Sequence, residues 1–531
     1  LGGRIGAGGA TRSVEDIARG VRSFTIGTAV SRVLGLVREQ VFAALFGASA
    51  STDAFNAAFR MPNLLRDLFA ETALSQAFIP VLTSERQKGK EVENLLASNI
   101  FNTLFIVVGA VTVLGVVFSP QLANTIAAGF SKDPGKLALT GKLTSITFPF
   151  LLFVALAAWA MSYLNTEGSF FTPSVAPAFW NVVSFLVPLG MFSYFTSQGR
   201  DPIYGAAIGV TAGGLVQFVV QLPRLFQKGF RYRFYVSFRD PEFRRVMALF
   251  VPVAIGVAGP RINFAVNTVL VSYLRDGSLT WLNYAFRIMH LPLGLFGIAV
   301  GTVALPALSR LVDAGNRKAL RETMVDSLKM VFFLTIPTST AIAFLAYPIT
   351  SVIYQHGRFT AHDTAKVALA LPLYVIGIPF MSGLRNAAAV FYAHKDAKTP
   401  MYASLASIVV NIGLNLWLMR VIGFLAFPLS MTAASIVNIA ILFALVPRKI
   451  GAFDFAPLAR YAVKLAALSV AAGFIAWLMN RYVFMPLGAS LWLRLASVVV
   501  SGSVALVLFY GACLILRIGE ARDYLRRFLR R

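Results

Sequence analysis

About fourteen long apolar runs follow one another along this chain, each close to the roughly 20 residues a helix needs to cross a bilayer. They fall at about 24–46, 53–82, 98–119, 140–164, 174–196, 203–223, 247–273, 280–306, 325–347, 366–392, 402–420, 424–446, 460–480 and 492–516. The pattern predicts an all-α polytopic membrane protein. Composition agrees: of 531 residues, 57% are hydrophobic and 13% charged, with mean hydropathy +0.71, where a soluble domain carries about 25% charged residues.

The polar positions inside the runs repeat. Asn56-Ala57-Ala58-Phe59-Arg60 reappears as Asn283-Tyr284-Ala285-Phe286-Arg287. The same offset carries Phe69 onto Phe296 and Thr172-Pro173 onto Thr399-Pro400; with one residue slipped, Pro80 falls on Pro306. Spans one to six (22–223) then form one lobe and spans seven to twelve (247–446) another. An even number of spans per copy makes the repeats parallel, with a substrate path between them. Spans thirteen and fourteen (447–516) have no counterpart, and a basic tail (517–531) follows. Residues 1–21, rich in Gly and Ala, read as a flexible tail or one added for expression.

Charge then sets topology. The net charge is +25, but the basic residues sit in alternate loops: Arg86, Lys88 and Lys90; the segment 224–246; Arg310, Arg317, Lys318 and Arg321; Lys395 and Lys398; Arg448 and Lys449. The positive-inside rule puts these loops and both termini in the cytoplasm of a multi-pass protein, and this placement argues against nucleic acid as partner. The segment 224–246 interleaves aromatic and basic residues (Phe230-Arg231-Tyr232-Arg233-Phe234-Tyr235). It suits either an anionic lipid surface or a solvated linker. Prolines inside the runs (Pro62, Pro149, Pro252, Pro260, Pro292, Pro372, Pro379) bend or break helices.

Charge within the spans is the candidate chemistry. Arg32 and Arg38 lie about 4.5 Å of helix rise to either side of the middle of the first run. A charge facing lipid there costs about 2.5–3.5 kcal/mol or more. Glu39 shares the run. The second carries Asp53, Arg60, Arg66, Asp67 and Glu71; Arg261, Arg287, His290 and Arg385 follow later. Arginines outnumber carboxylates, so a cavity lined by them calls for an anion, and guanidinium matches phosphate oxygens in bidentate fashion. Internal ion pairing that fixes helix packing is the other reading. Asn267, Asn411, Asn415 and Thr432 suit either interhelical hydrogen bonds or a monovalent cation. The single cysteine, Cys513, excludes an internal disulfide and a cysteine metal cluster. Neither a Walker loop, a His-Glu-x-x-His nor a G-x-S-x-G motif occurs, so we expect no metal, no cofactor and no enzyme. A membrane enzyme acting on isoprenoid phosphates would gather acids or histidines at one face, and His290, His356, His362 and His394 are scattered. A scaffold would not need mid-membrane arginines, and an exporter of cationic drugs would favour acids.

Ser31-Arg32-Val33-Leu34-Gly35-Leu36-Val37-Arg38, Phe46-Gly47-Ala48, Thr52-Asp53-Ala54-Phe55, Pro62-Asn63-Leu64-Leu65-Arg66, Phe69-Ala70-Glu71 and Ser75-Gln76-Ala77-Phe78-Ile79-Pro80 closely resemble the opening of the MurJ (MviN) family. These are bacterial lipid II flippases of the multidrug/oligosaccharidyl-lipid/polysaccharide exporter superfamily. The likeness continues through Gly357-Arg358-Phe359-Thr360 and Lys398-Thr399-Pro400. It implies two six-helix lobes, V-shaped around a cationic cavity, and two further helices whose groove takes a lipid tail. It implies a substrate too: the undecaprenyl-pyrophosphate-linked peptidoglycan precursor, moved from inner to outer leaflet of the cytoplasmic membrane. Another polyprenyl-linked saccharide is the alternative cargo, and cell-wall synthesis enzymes and membrane lipids are the expected partners. Positions matching Arg32, Arg38, Asp53, Arg66 and Arg287 matter in the family. We expect Arg32, Arg38, Arg66 and Arg287 to hold the pyrophosphate, with Asp53, Glu71, Glu39, Arg60 and Arg261 as charge partners, Asp53 and Glu71 pairing with the arginines when the site is empty. Many members have Asp-Arg-x-x-Glu in span eight, where this chain has Phe286-Arg287-Ile288-Met289-His290. Both acids are gone, which leaves the cavity more cationic.

Overall fold

A computed structural model describes residues 7–67, 73–451, 454–488 and 490–522, with the side chains of 7–24, 256–260 and 298–303 left out. The expected pairing acid Glu71 and most of the basic tail lie outside the described residues. So do the first six residues of the expected N-terminal tail, which is helical from Ala7 onward. Among the described residues there is no strand.

Packing divides the chain into two compact units: Leu1–Gly277 with His356–Arg358, and Ser278–Gln355 with Phe359–Arg531. The first holds helices α1 (Ala7–Phe46), α2 (Ala50–Arg66), α3 (Ala73–Lys88), α4 (Lys90–Val117), α5 (Ser119–Ile126), α6 (Pro134–Thr147), α7 (Phe150–Thr166), α8 (Phe171–Ser197), α9 (Ile203–Val219), α10 (Leu222–Gln227) and α11 (Pro241–Ser272). The second holds α12 (Ser278–Pro292), α13 (Ile298–Asp313), α14 (Arg317–Phe344), α15 (Ala346–Tyr354), α16 (Ala361–Val375), α17 (Ile378–Ala393), α18 (Lys398–Ile422), α19 (Ala426–Leu445), α20 (Pro447–Ile450), α21 (Ala456–Met479), α22 (Met485–Leu487) and α23 (Leu491–Ile515). Repeat and packing divide the chain at different places: α11, which opens the second sequence copy, packs against α3 in the first unit.

Among the described residues, nine segments are long and apolar enough to cross a membrane, and one of them, Lys398–Ile450, contains both α18 and α19. The expected spans 24–46, 247–273 and 280–306, and the described parts of 53–82, are helical but fall outside that set. These are the ones that carry Arg32, Arg38, Arg60, Arg66, Arg261 and Arg287. Several expected spans are broken helices. Pro149 stands immediately before α7 and Pro379 in the first turn of α17, where a missing N–H leaves nothing unsatisfied. Pro292 ends α12, and a π-turn over Leu293–Gly297 separates it from α13.

In the first unit, α1 and α9 both pack on α8. Gly27 sits so close to Ser174 of α8 that any Cβ would collide with it, and Asn181 of α8 donates to the Ser31 carbonyl at 3.0 Å. An aromatic chain runs from α1 through α2 and α7 to α8: Phe42–Phe55 at 5.8 Å, Phe55–Phe59 at 6.1 Å, Phe59–Phe150 at 5.2 Å and Phe150–Trp180 at 5.7 Å. The basic segment 224–246 is not a slack linker. Its extended stretch is fastened to polar positions of α4. Asn94 donates to the Gly229 carbonyl (3.1 Å), Asn99 donates to Ser237 O (3.0 Å) and accepts from Ser237 N (2.9 Å), and Asn102 donates to the carbonyls of Arg233 and Tyr235. These side chains meet the backbone donors and acceptors of an extended strand that has no sheet partner. Tyr232, Phe234, Arg231 and Arg239 face outward, exposed.

In the second unit, α21 and α23 dock on α14, where Phe333 meets Phe509 (5.8 Å) and Tyr510 (5.5 Å). Thr360 and Asp363 form a reciprocal cap on α16, and Trp281 of α12 donates to the same Asp363 carboxylate at 2.9 Å. Phe359 packs on Tyr284 at 5.4 Å. In the loop before α18, Lys449 and the Thr399 backbone N–H hold the Asp396 carboxyl down at about 2, so the Lys-Thr-Pro motif is pinned at its start.

Gly357, in the Gly-Arg-Phe-Thr motif, has φ +56° and lies where a Cβ would run into the Ala44 carbonyl at the end of α1. Next to it, Arg358 N–H donates to Ala44 O at 2.8 Å. The left-handed backbone alone costs a non-glycine residue about 1–2 kcal/mol. Gly357→Ala is therefore expected to lower the thermal midpoint of the purified protein, as read by a melt in detergent; an unchanged midpoint contradicts the close approach.

Candidate functional site

The described arginines of the candidate site differ in burial, from Arg38 to Arg32. Arg38 is 8% exposed; its Nε and Nη2 donate to Glu39 Oε1 at 3.1 and 2.6 Å. Its guanidinium lies 4.3 Å over the Trp180 ring, at the end of the aromatic chain. Adjacent helix positions do not normally face each other, so this pair forms because the long Arg38 side chain folds back in the absence of water. A desolvated cation–π contact adds about 2 kcal/mol.

Arg66 and Arg261 share one acid. Asp67, 3% exposed, accepts from Arg66 at 3.0 Å and from Arg261 at 2.8 Å. Both Arg66 and Asp67 stand at the end of α2, and Arg261 reaches them from α11. Arg60, also on α2, lies 5.5 Å from the Phe264 ring centroid. Next to Arg66, a cavity of about 220 Å³ opens between α7, α8 and α9, with Trp180, Asn181, Gln217 and Gln221 among its lining.

Asp53, expected as a charge partner, makes two contacts at the start of α2. Asp53, 1% exposed, accepts from the Gly277 backbone N–H at 2.7 Å and faces Lys136 at 3.5 Å. Lys136 also binds Asp276 at 2.6 Å and lies 3.8 Å over the Phe130 ring. Sequence reasoning missed Lys136, which stands in the first turn of α6 after the Asp133-Pro134 cap. A buried lysine at a helix start, within reach of acids in two other segments, was the available signal. The acid that joins two arginines is Asp67, which the sequence shows only as one charge among five in the second run.

Arg32 on α1 and Arg287 on α12 are exposed. Arg385 on α17 and His290 on α12 are exposed too, the histidine ring 4.2 Å from Phe286. The amides expected as a cation site have these places. Asn415 donates to Asn411 at 3.3 Å, Thr432 donates to the Leu373 carbonyl at 2.6 Å, and Asn267 lies on α11 in the other unit. Among the described residues no group of His, Cys, Asp and Glu is arranged to hold a metal.

A sequence profile described as lipid II flippase MurJ matches residues 42–496. The chain belongs to the MurJ family. A MurJ relative from Vibrio cholerae, named as a probable lipid II flippase, is 37% identical over 78% of this chain and 80% of its own length. One from Burkholderia cenocepacia, named as a lipid II flippase, is 34% identical over 85% of this chain and 88% of its own. A solved structure of lipid II flippase MurJ in an inward closed conformation superposes with a TM-score of 0.75 at 27% identity, covering 92% of this chain and 99% of that one. A multidrug MATE transporter in an inward-facing conformation shares the fold, with a TM-score of 0.62 at 13% identity over 78% of this chain. MurJ proteins are transporters, not enzymes, and this one is an all-helical, multi-pass membrane protein.

Removing the Asp67 charge should cost about 1–3 kcal/mol, as for other charged hydrogen-bonded groups. Asp67→Asn is expected to lower the thermal midpoint more than Arg261→Gln does. Arg261 is 41% exposed and its release is screened by water, whereas Asp67→Asn removes the one acid that both guanidiniums contact. Equal effects would place the pair at the surface.

Proposed function

We propose that this protein is a lipid II flippase of the inner membrane. It carries the undecaprenyl-pyrophosphate-linked peptidoglycan precursor from the inner to the outer leaflet by alternating access through about fourteen spans. The observation that carries this reading is the exposed guanidinium of Arg32 on α1, within a run long enough to cross the bilayer. Facing lipid, it costs about 2.5–3.5 kcal/mol or more. Facing a diphosphate, it replaces part of a water shell that hydrocarbon cannot supply. Family membership and the names of the relatives point to the same cargo.

Arg38 and Arg66 join as a reserve. Glu39 and Asp67 satisfy them while no headgroup is present, and a diphosphate would compete with these carboxylates for the guanidiniums, against the cost of taking a partner from two buried acids. The isoprenoid chain stays in lipid along α21 and α23. The basic loops and both termini face the cytoplasm.

The test follows lipid II across the two leaflets in cells depleted of their own flippase and supplied with this protein, with and without a dissipated membrane potential. Wild type is expected to restore translocation and growth. Arg32→Ala and Arg287→Ala are expected to reach the membrane in normal amounts and restore neither, because their exposed side chains contribute little to packing. Normal growth on either variant refutes the assignment.

A further inference from the structure

A second cavity lies far along the chain from these arginines, within the second unit. Its volume is about 320 Å³, and it opens between α15, the turn after α21 and the start of α23. Tyr347, Phe484 and Leu493 supply apolar wall; Arg494, Asn480 and Gln355 supply polar groups. The chain builds it by widening the end of α21 into a π-turn, Asn480–Phe484. Such turns re-aim a side chain relative to a regular helix, and here Asn480 is 7% exposed. After Gly488 the chain re-enters helix at Leu491 under a Ser490 cap, which sets Arg494 in the first turn of α23.

Two groups in this cleft lack a counterpart. Arg494 is half-buried, and among the described residues its guanidinium has neither an ion pair nor a hydrogen bond. The Gln355 Oε1 is buried with no hydrogen-bond partner. A half-buried cation without an acid is costly unless an anion visits it. Tyr482 and Trp492, 71% and 78% exposed, flank the cleft. Exposed Tyr and Trp at the ends of apolar helices mark the headgroup level of a bilayer, so the opening is at the depth of lipid phosphates.

We propose that this cleft binds the phosphodiester headgroup of an anionic membrane phospholipid, with Arg494 on the phosphate and Asn480 and Gln355 on the headgroup hydroxyls. Charge decides between ligands. One guanidinium beside neutral amides balances a singly charged phosphodiester. A diphosphate would bring at least two negative charges against one positive. Free inorganic phosphate would leave the apolar wall wet. The site is thus separate from the one proposed for the transported headgroup, and its test does not depend on flippase activity.

The experiment titrates delipidated, detergent-purified full-length protein with phosphatidylglycerol and reads bound lipid by native mass spectrometry. Arg494→Gln is expected to weaken apparent binding about tenfold, the loss of roughly one charge-assisted contact. Arg494→Lys should retain binding to within about threefold, and Arg460→Gln, an exposed arginine elsewhere on α21, should bind as wild type. As a test independent of any substitution, wild type is also challenged with inorganic phosphate and with a prenyl diphosphate, neither of which should displace the lipid at equal concentration. Unchanged binding by Arg494→Gln, loss of binding by Arg460→Gln, or displacement by either competitor overturns the proposal.

Discussion

Every guanidinium placed in an apolar helix must find an anion or water, and this constraint organises the molecule. Glu39 and Asp67 meet it for Arg38, Arg66 and Arg261, and an aromatic face meets part of it for Arg38. Helices that carry such charge are the same ones that fall outside the nine simple apolar segments. Their stability in a bilayer rests on neighbouring helices rather than on hydropathy. The aromatic chain from Phe42 to Trp180 is therefore more than filler. It fixes the distance between α1 and α8 and holds a π-face in reach of the Arg38 guanidinium.

Much of the fold was legible because apolar length is a one-dimensional property. The runs lie where helices lie, and the repeated Asn-x-Ala-Phe-Arg stretches fall at corresponding positions of α2 and α12. What hydropathy does not record is a break that keeps both halves apolar. Pro149 and Pro379 read as kinks within spans, yet each begins a new helix, because the lost N–H is harmless only in a first turn. The strap 229–237 was illegible for a related reason. Its hydrogen bonds go to Asn94, Asn99 and Asn102, which in sequence look like isolated polar residues at the start of an apolar helix.

At the candidate site, the residue types were legible and the partners were not. Glu39 was legible as an acid in the same run as Arg32 and Arg38, and the structure shows it accepting from Arg38. Asp53 was legible as an acid of the second run, and the structure shows it against Lys136 and Gly277. Each of these partners comes from another segment of the chain, and an ion pair across segments depends on packing that no heptad count reports. The same holds for Arg494, whose significance is the lack of an acid around it rather than anything in its local sequence.

On the proposed function, a balance between satisfied and available guanidiniums is a requirement of transport. If every guanidinium were satisfied by a carboxylate, a diphosphate would gain nothing by entering. If none were, the unpaired charges would cost several kcal/mol each in the empty protein, and a bound diphosphate would be held too tightly to leave. In the proposed cycle, Arg32 would provide the initial attraction, and Arg38 and Arg66, paired with Glu39 and Asp67, would provide contacts that are exchanged rather than created. Release would then consist of Glu39 and Asp67 recovering these partners, so that the acids compete with the headgroup for the same guanidiniums.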